Sequence, residues 1–301
     1  MRNIFCQSLV AKAADPDFVF LTGDLGFMAL EPLRDALGGR FLNAGVAEQN
    51  MVAVAAGLAK TGMRPWAYSI APFIYARPFE MIRNDVCLHD LPVVLVGNGG
   101  GYGYGVMGCT HHALGDYGAL LTLPNLLAFV PAFDEDVPVM VDRLFAESHP
   151  AYLRLGLGEK PENCSLPPYA PWRKLSRGGG ACLLVVGPLV GSILGVVLSI
   201  EEVLRPNLWV LSELPFPEPP PEFLDDLRRA DCLMVVEEHV AAGGIGSMLA
   251  LDLLSRGLAP RRFLHRAALG YPSGRYGSQK FHRRESGLDP DSVLAALGEL
   301  S

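Results

Sequence analysis

Short apolar runs alternate along the first half of the chain with longer stretches that have helical spacing of apolar residues. The runs at 18–22, 65–69, 92–97 and 127–130 are each bounded by Gly, Pro or Asp and are predicted to be strands. Helices are predicted around 3–14, 47–60, 79–88 and 137–148. Such alternation predicts an α/β fold, in which a mostly parallel sheet carries crossover helices on both faces.

The second half of the chain shows the same alternation after a break rich in Pro, Gly and charge. Strands are predicted at 182–186, 208–211, 232–237 and 263–267, and the proline-rich stretch 215–221 is predicted to be an exposed rigid loop. We therefore predict two α/β domains, residues 1–158 and 178–301, joined by a linker at 159–177.

One segment has the length of a membrane span, because residues 181–200 carry no charge. Gly187 and Pro188 interrupt it after a β-branched run, which favours a buried strand, a tight turn and a packed helix. The N-terminal sequence is unlike a signal peptide, since Lys12 and Asp15 follow a short apolar stretch. We expect a cytoplasmic protein with no membrane association.

Composition narrows the possible partners. Half of the residues are hydrophobic and 19% are charged, which suits large buried cores. The net charge of −7 argues against a nucleic-acid surface. The six cysteines are scattered without a CxxC pair, a pattern typical of reduced thiols and not of a zinc site.

Taken alone, Glu48 is an ordinary acidic residue in the first turn of a helix, a position that the helix dipole favours. Its surroundings are more informative. The string AGVAEQNM (44–51) is followed by AAGLA (55–59), and further strings are FEMIRND (79–85), LPV (91–93), THHALGD (110–116), LPN (123–125) and LRLG (153–156). In the second half, EEH (237–239) precedes GGIG (243–246).

In this order, these strings resemble the transketolases and the 1-deoxyxylulose-5-phosphate synthases, and the resemblance covers nearly the whole chain. It implies a pyrimidine-binding domain followed by a transketolase C-terminal domain, with thiamine diphosphate as the cofactor. It also implies that Glu48 bonds the aminopyrimidine ring and thereby promotes deprotonation of the thiazolium carbon. The cofactor then acts as the electron sink, while the protein supplies position and field.

The resemblance assigns further residues to the site. Phe73 matches the aromatic residue that stacks on the pyrimidine, although an ordinary core role is open. Asp24, followed by Leu25, matches an aspartate beside the cofactor, with a turn role as the alternative. His111 matches a substrate-contacting histidine suited to proton relay. Arg154 matches an arginine that holds a sugar phosphate, but a structural ion pair would look the same in sequence.

Three positions depart from the transketolase pattern. Met107 stands where those enzymes have an aspartate that bonds a substrate hydroxyl, and Gly99 where they have a second substrate-binding histidine. Ile70 replaces an aromatic wall residue. Because the changes at Met107 and Gly99 remove polar contacts, we expect poor activity on ordinary sugar-phosphate donors and better activity on a deoxygenated or modified sugar or a 2-oxoacid.

The sequence lacks the GDG…N motif with which the family holds Mg²⁺ and the diphosphate. We therefore predict no metal ligands in this chain and a separate N-terminal, diphosphate-binding subunit as its partner, in an α2β2 heterotetramer. The resulting hypothesis is a split transketolase-like enzyme that transfers a ketol or acyl unit. A β-subunit of a 2-oxoacid dehydrogenase and a non-catalytic assembly subunit are the alternatives.

Overall fold

The computed structural model describes residues 1–162 and 164–300 of the chain. Its strands are β1 (Phe18–Thr22), β2 (Phe41–Asn43), β3 (Arg64–Ile70), β4 (Val94–Asn98), β5 (Leu127–Phe129), β6 (Ala151–Leu155), β7 (Trp172–Ser176), β8 (Cys182–Val186), β9 (Asn207–Leu211), β10 (Glu213–Leu214), β11 (Cys232–Val236) and β12 (Arg262–Arg266). They form one sheet of seven strands and one of five.

The helices lie between the strands and cover the faces of both sheets. They are α1 (Arg2–Val10), α2 (Glu31–Leu37), α3 (Glu48–Lys60), α4 (Ala71–Ala76), α5 (Phe79–Met81), α6 (Asp116–Leu120), α7 (Asp136–Ala146), α8 (Val190–Leu198), α9 (Pro221–Ala230), α10 (Ile245–Ser255), α11 (Gln279–Glu285) and α12 (Pro290–Leu300). Among the described residues, no helix is long and apolar enough to cross a membrane.

The first sheet has the order β10-β5-β6-β4-β3-β1-β2. Its strands pair in parallel except for the antiparallel pair of β10 with β5. Every residue of β1 and β6 is buried, as expected for strands covered by helices on both faces. The predicted α/β class is therefore confirmed.

The second sheet has the order β12-β11-β8-β9-β7, with β7 antiparallel at one edge. All residues of β8, β9 and β11 are buried. The uncharged segment 181–200 forms β8, a 3₁₀ turn at Gly187–Leu189 and α8, as predicted in place of a membrane span.

Two local predictions are corrected by the structure. The stretch 159–177, predicted to be a linker, contains β7, which bonds to β9 and closes the edge of the second sheet. The helix predicted over 79–88 is α-helical only as far as Met81 and continues as a π-helix over Ile82–Cys87. The domain boundaries at 1–158 and 178–301 stay a prediction.

The parallel strands of the first sheet bring several loops to one edge. β1 ends at Thr22, β3 at Ile70 and β4 at Asn98, and these three strands are neighbours in the sheet. Parallel α/β sheets bind ligands in the crevice beyond the carboxyl ends of their strands. The candidate residues therefore have to be sought in the segments that follow these strand ends.

Candidate active site at the carboxyl edge of the first sheet

Glu48 is the first residue of α3 and is only 3% exposed. The Ser69 hydroxyl, near the end of β3, donates a hydrogen bond to Glu48 Oε1 over 3.0 Å. Arg77 Nη1 lies 2.8 Å from Glu48 Oε2 and forms an ion pair with it. A buried carboxylate requires such donors, because its desolvation is otherwise costly. Both carboxylate oxygens of Glu48 are thus hydrogen-bonded, Oε1 to the buried Ser69 and Oε2 to the exposed Arg77.

Phe73 lies on the short helix α4, which begins directly after β3. The Arg77 guanidinium carbon is 3.8 Å from the centroid of its ring, within the range of a cation–π contact. The His111 ring approaches it edge-on, with centroids 5.2 Å apart. The structure therefore brings Glu48 and Phe73 together around Arg77, a residue that the sequence analysis did not single out, and places His111 against Phe73.

Asp24 is exposed and has a left-handed backbone conformation, with φ of 56°. Its backbone N–H donates to Asn43 Oδ1 at 3.1 Å, and the Asn43 amide donates to Asp24 Oδ1 at 2.9 Å. A Cβ atom added to Gly23 would lie 3.5 Å from Glu48 Oε1, so the Gly23–Asp24 turn borders the Glu48 carboxylate. Asp24 and Leu25 line a cleft of about 490 Å³ beside this turn.

His111 lies on the loop that follows β4. Its Nδ1 is 2.9 Å from the Thr110 hydroxyl, and its ring centroid is 5.9 Å from that of Tyr104. Tyr104 in turn accepts a hydrogen bond from the Asn98 amide at 2.9 Å. Gly99 has φ of +73°, and a Cβ atom there would come within 2.3 Å of the Tyr104 ring. The Tyr104 ring therefore fills the space beside position 99, where the resemblance described above implies a histidine.

Residues from the second half of the chain hold the loop after β4 in place through hydrogen bonds. The Glu238 carboxylate accepts hydrogen bonds from the Tyr102 backbone N–H at 2.7 Å and from Arg283 Nε at 2.8 Å. His112 Nδ1 lies 2.8 Å from the Tyr271 hydroxyl, and its Nε2 lies 2.8 Å from the Gly105 carbonyl oxygen. Burial lowers the pKa of His112. His112 and the EEH segment thus hold the loop that presents His111.

Arg154 is not part of the Glu48 cluster. It is buried within β6, and its Nε donates to Asp116 Oδ2 at 2.7 Å. Its Nη2 donates to the carbonyl oxygens of Ala113 and Glu238 at 2.9 and 3.0 Å. Burial acts to lower the pKa of Arg154, but the Asp116 carboxylate, together with Tyr117 and Tyr152, raises the pKa above its usual value. The geometry is that of the structural ion pair left open by the sequence, and substrate binding by Arg154 stays a prediction.

Sequence reasoning missed Ser69, Arg77 and Tyr104. Two of them had a detectable signal, since Ser69 lies near the end of a predicted strand and Arg77 follows Phe73 by one helical turn. Tyr104 had none, because its proximity to Gly99 depends on the path of the glycine-rich loop. Across residues 1–162 and 164–300, no group of three or more His, Cys, Asp or Glu side chains is placed to hold a metal ion.

The residues present fit the pyrimidine end of thiamine diphosphate. A buried carboxylate and an aromatic face lie side by side, as binding of a flat heterocycle with ring nitrogens requires.

Comparisons with known proteins identify the family. A family profile described as "Transketolase, pyrimidine binding domain" matches residues 7–159. A 1-deoxy-D-xylulose-5-phosphate synthase 2 of Geobacter sulfurreducens is 33% identical over 96% of this chain, which spans 45% of that relative's length. A subunit of the apulose-4-phosphate transketolase of Actinobacillus succinogenes is 31% identical, with 98% of this chain and 96% of the relative covered.

Solved structures give the same answer for the fold. A chain described as "Split gene transketolase, inactive beta4 tetramer" superposes with a TM-score of 0.82 and 27% identity, covering 99% of this chain and 97% of its own length. Transketolase from Leishmania mexicana has a TM-score of 0.77 at 18% identity, which shows the shared fold; 99% of this chain and 45% of that one are covered. The chain belongs to the transketolase family.

Proposed function

We propose that this chain is one component of a two-chain, thiamine-diphosphate-dependent transferase of the transketolase type, which moves a ketol or acyl unit between carbonyl compounds. The observation that carries the proposal is the buried Glu48 carboxylate beside Phe73 and His111. Similarity over nearly the whole chain to a transketolase subunit of the same length supports it and favours it over the β-subunit of a 2-oxoacid dehydrogenase.

Each residue has a proposed role at the site. Glu48 bonds a ring nitrogen of the pyrimidine and shares a proton with it, while Ser69 keeps the carboxylate oriented through Oε1. Phe73 stacks on the ring, and Asp24 and Leu25 border it at the end of β1. Thiamine diphosphate, when bound, supplies the electron sink for the reaction. His111 contacts the substrate from the loop after β4.

The partner subunit is proposed to hold the diphosphate and Mg²⁺. Support comes from the described residues, which offer no cluster of metal ligands, and from a solved relative whose description is an inactive beta4 tetramer. An α2β2 heterotetramer in the cytoplasm is the expected assembly. Residues 1–158 would bind the pyrimidine, and residues 178–301 would form the transketolase C-terminal domain.

The substrate is proposed to be a modified sugar phosphate or a 2-oxoacid. Met107 is 54% exposed at the loop that carries His111, and Gly99 leaves the place of a histidine to the Tyr104 phenol. A methionine thioether is only a weak acceptor for a substrate hydroxyl, so a donor with fewer hydroxyl groups suits the site better. The relative of matching length is named for apulose 4-phosphate, which supports an unusual sugar as the substrate.

The decisive test is Glu48→Gln in the assembled enzyme. The change preserves volume but removes the carboxylate that shares the proton, so exchange of the thiazolium proton with solvent should slow by more than the roughly 10²–10⁴-fold typical of one acid–base group. Exchange is measured by NMR after rapid quenching. Glu80→Gln, an exposed acid at the start of α5, is the matched control and should exchange at the wild-type rate. Wild-type exchange in Glu48→Gln would favour the non-catalytic assembly role instead.

A further inference from the structure

Arg77 makes two contacts at the centre of the candidate site. Its guanidinium lies over the face of Phe73, 3.8 Å from the ring centroid, and Nη1 donates to Glu48 Oε2 over 2.8 Å. These are the two groups that the proposed function assigns to the pyrimidine ring of the cofactor. A cation stacked on the aromatic face and bonded to the carboxylate therefore occupies the place where that ring has to bind.

The chemistry of the two groups explains why one can substitute for the other. A guanidinium is flat, delocalised and rich in N–H donors, and it stacks on aromatic rings. An aminopyrimidine is also flat, stacks on aromatic rings and presents ring nitrogen and amino groups to a carboxylate. We propose that Arg77 is an internal surrogate for the aminopyrimidine, and that the cofactor must displace its guanidinium from Phe73 and Glu48 in order to bind.

Arg77 is held loosely enough for such a displacement. Its side chain is 44% exposed, and its hydrogen bond and ion pair both go to Glu48. The exposed part of the guanidinium keeps its contact with water, which offsets part of the cost of leaving the buried carboxylate. Arg154 shows the contrast, because it is buried and donates to one carboxylate and two carbonyl oxygens. When the guanidinium leaves, Glu48 keeps its bond from Ser69 and so keeps its orientation.

The inference rests on the proposed function and adds a cost to cofactor binding. A site that is open for only part of the time has an apparent dissociation constant raised in proportion. Arg77→Met removes the surrogate while it retains a flexible apolar side chain. We expect thiamine diphosphate to bind this variant about tenfold more tightly, or ~1.4 kcal/mol. Arg77→Lys keeps the charge but loses the flat stacking group, so its affinity should lie between the two.

The experiment is calorimetric titration of the chain, assembled with its diphosphate-binding partner, with Mg²⁺ and thiamine diphosphate, and separately with thiamine. Because Arg77 opposes the pyrimidine end, the gain in Arg77→Met should be the same for both compounds. Loss of a cation that attracts the diphosphate would instead weaken only thiamine diphosphate. Arg83→Met is the matched control, since Arg83 is exposed and its side chain bonds to Asn84. It should bind both compounds as the wild type does.

The possible results distinguish the surrogate role of Arg77 from the proposed function. Tighter binding of both compounds by Arg77→Met supports the surrogate role. Unchanged or weaker binding, together with slow proton exchange in Glu48→Gln, overturns the surrogate role and leaves the proposed function intact. If Glu48→Gln neither weakens binding nor slows exchange, the pyrimidine does not bind at Glu48, and both proposals fail. Thermal unfolding of each variant confirms that the folded protein was titrated.

Discussion

At the residue scale, the properties of Glu48 come from neighbours that are distant in sequence. Ser69 reaches it from the end of β3 and Arg77 from beyond α4, while Gly23 borders it after the end of β1. Sequence alone identified Glu48 and Phe73 as candidates. It could not show that Phe73 faces a guanidinium, because that contact depends on the short helix that follows β3.

Gly99 offers a direct test of the loop geometry. Its φ of +73° and the 2.3 Å approach of an added Cβ to Tyr104 both oppose a side chain. Gly99→Ala should lower the free energy of unfolding by about 1–3 kcal/mol. Gly57→Ala is the matched control, because Gly57 lies inside α3 with nothing within 4 Å of the added Cβ. This change should raise the free energy of unfolding by about 0.5–1 kcal/mol. Urea titration measures both, and equal effects would contradict the described loop.

At the scale of elements, the sequence predicted best the strands that are buried on both faces. β1 and β8 match their predicted bounds, since a continuous apolar run is what two covered faces require. Among the edge strands of the described residues, β12 was predicted, but β2, β7 and β10 were not, because they are short or polar and are defined by the strand they pair with. β6 was also missed as a strand, since it carries the charged Arg154, whose burial the Asp116 carboxylate and two backbone carbonyl oxygens make tolerable.

The buried carboxylate of Asp226 links helix α9 to the second sheet. Asp226 accepts a hydrogen bond from Trp209 Nε1 at 2.9 Å and forms an ion pair with Lys174 at 2.7 Å. Burial acts to raise the pKa of Asp226, but the bonds from Lys174 and Trp209 outweigh it and lower the pKa. Asp226 is therefore expected to stabilise the fold while it is ionised.

Asp226→Asn should lower the free energy of unfolding by about 3 kcal/mol at neutral pH, because Lys174 loses its buried, negatively charged partner. Since the folded pKa lies below the unfolded value of about 3.9, this stabilisation is complete above that value and is lost as the pH falls through the folded pKa. The difference in the free energy of unfolding between wild type and Asp226→Asn should thus become smaller below about pH 4. Asp225→Asn, an exposed neighbour paired with Arg228, should change little at any pH. Urea titrations between neutral and acid pH measure these free energies. A difference between wild type and Asp226→Asn that does not change with pH would contradict the stabilising role of ionised Asp226.

At the scale of the whole molecule, the two halves of the chain share structure. β10, from the second half, pairs with β5 in the first sheet, and the Val130 backbone N–H donates to the Ser212 carbonyl oxygen at 2.8 Å. Deeper between them, Glu237 accepts hydrogen bonds from the Tyr117 hydroxyl and from His265. The loop that presents His111 therefore depends on residues of the second half, and we do not expect residues 1–158 alone to retain the site geometry.

The last prediction is that the isolated chain binds thiamine diphosphate weakly and is inactive. Glu48 and Phe73 can hold only the pyrimidine end, while the diphosphate carries most of the charge. A chain of net charge −7, whose described residues offer no metal-ligand cluster, gives that charge little to bind. The loop after Asp24 also exposes Phe27 and Met28, 83% and 80%, beside the cleft. Apolar side chains this exposed are typical of a surface that a partner covers.

Calorimetry of the purified chain with Mg²⁺ and thiamine diphosphate tests this, and no heat of binding is expected at micromolar cofactor. The same titration after addition of the diphosphate-binding partner is the control and should show saturable binding. Sedimentation of the complex should give two copies of each chain, with an interface that commonly buries more than about 2,000 Å². Micromolar binding by the chain alone would overturn the division of the cofactor between two chains, because this chain would then have to hold the diphosphate itself.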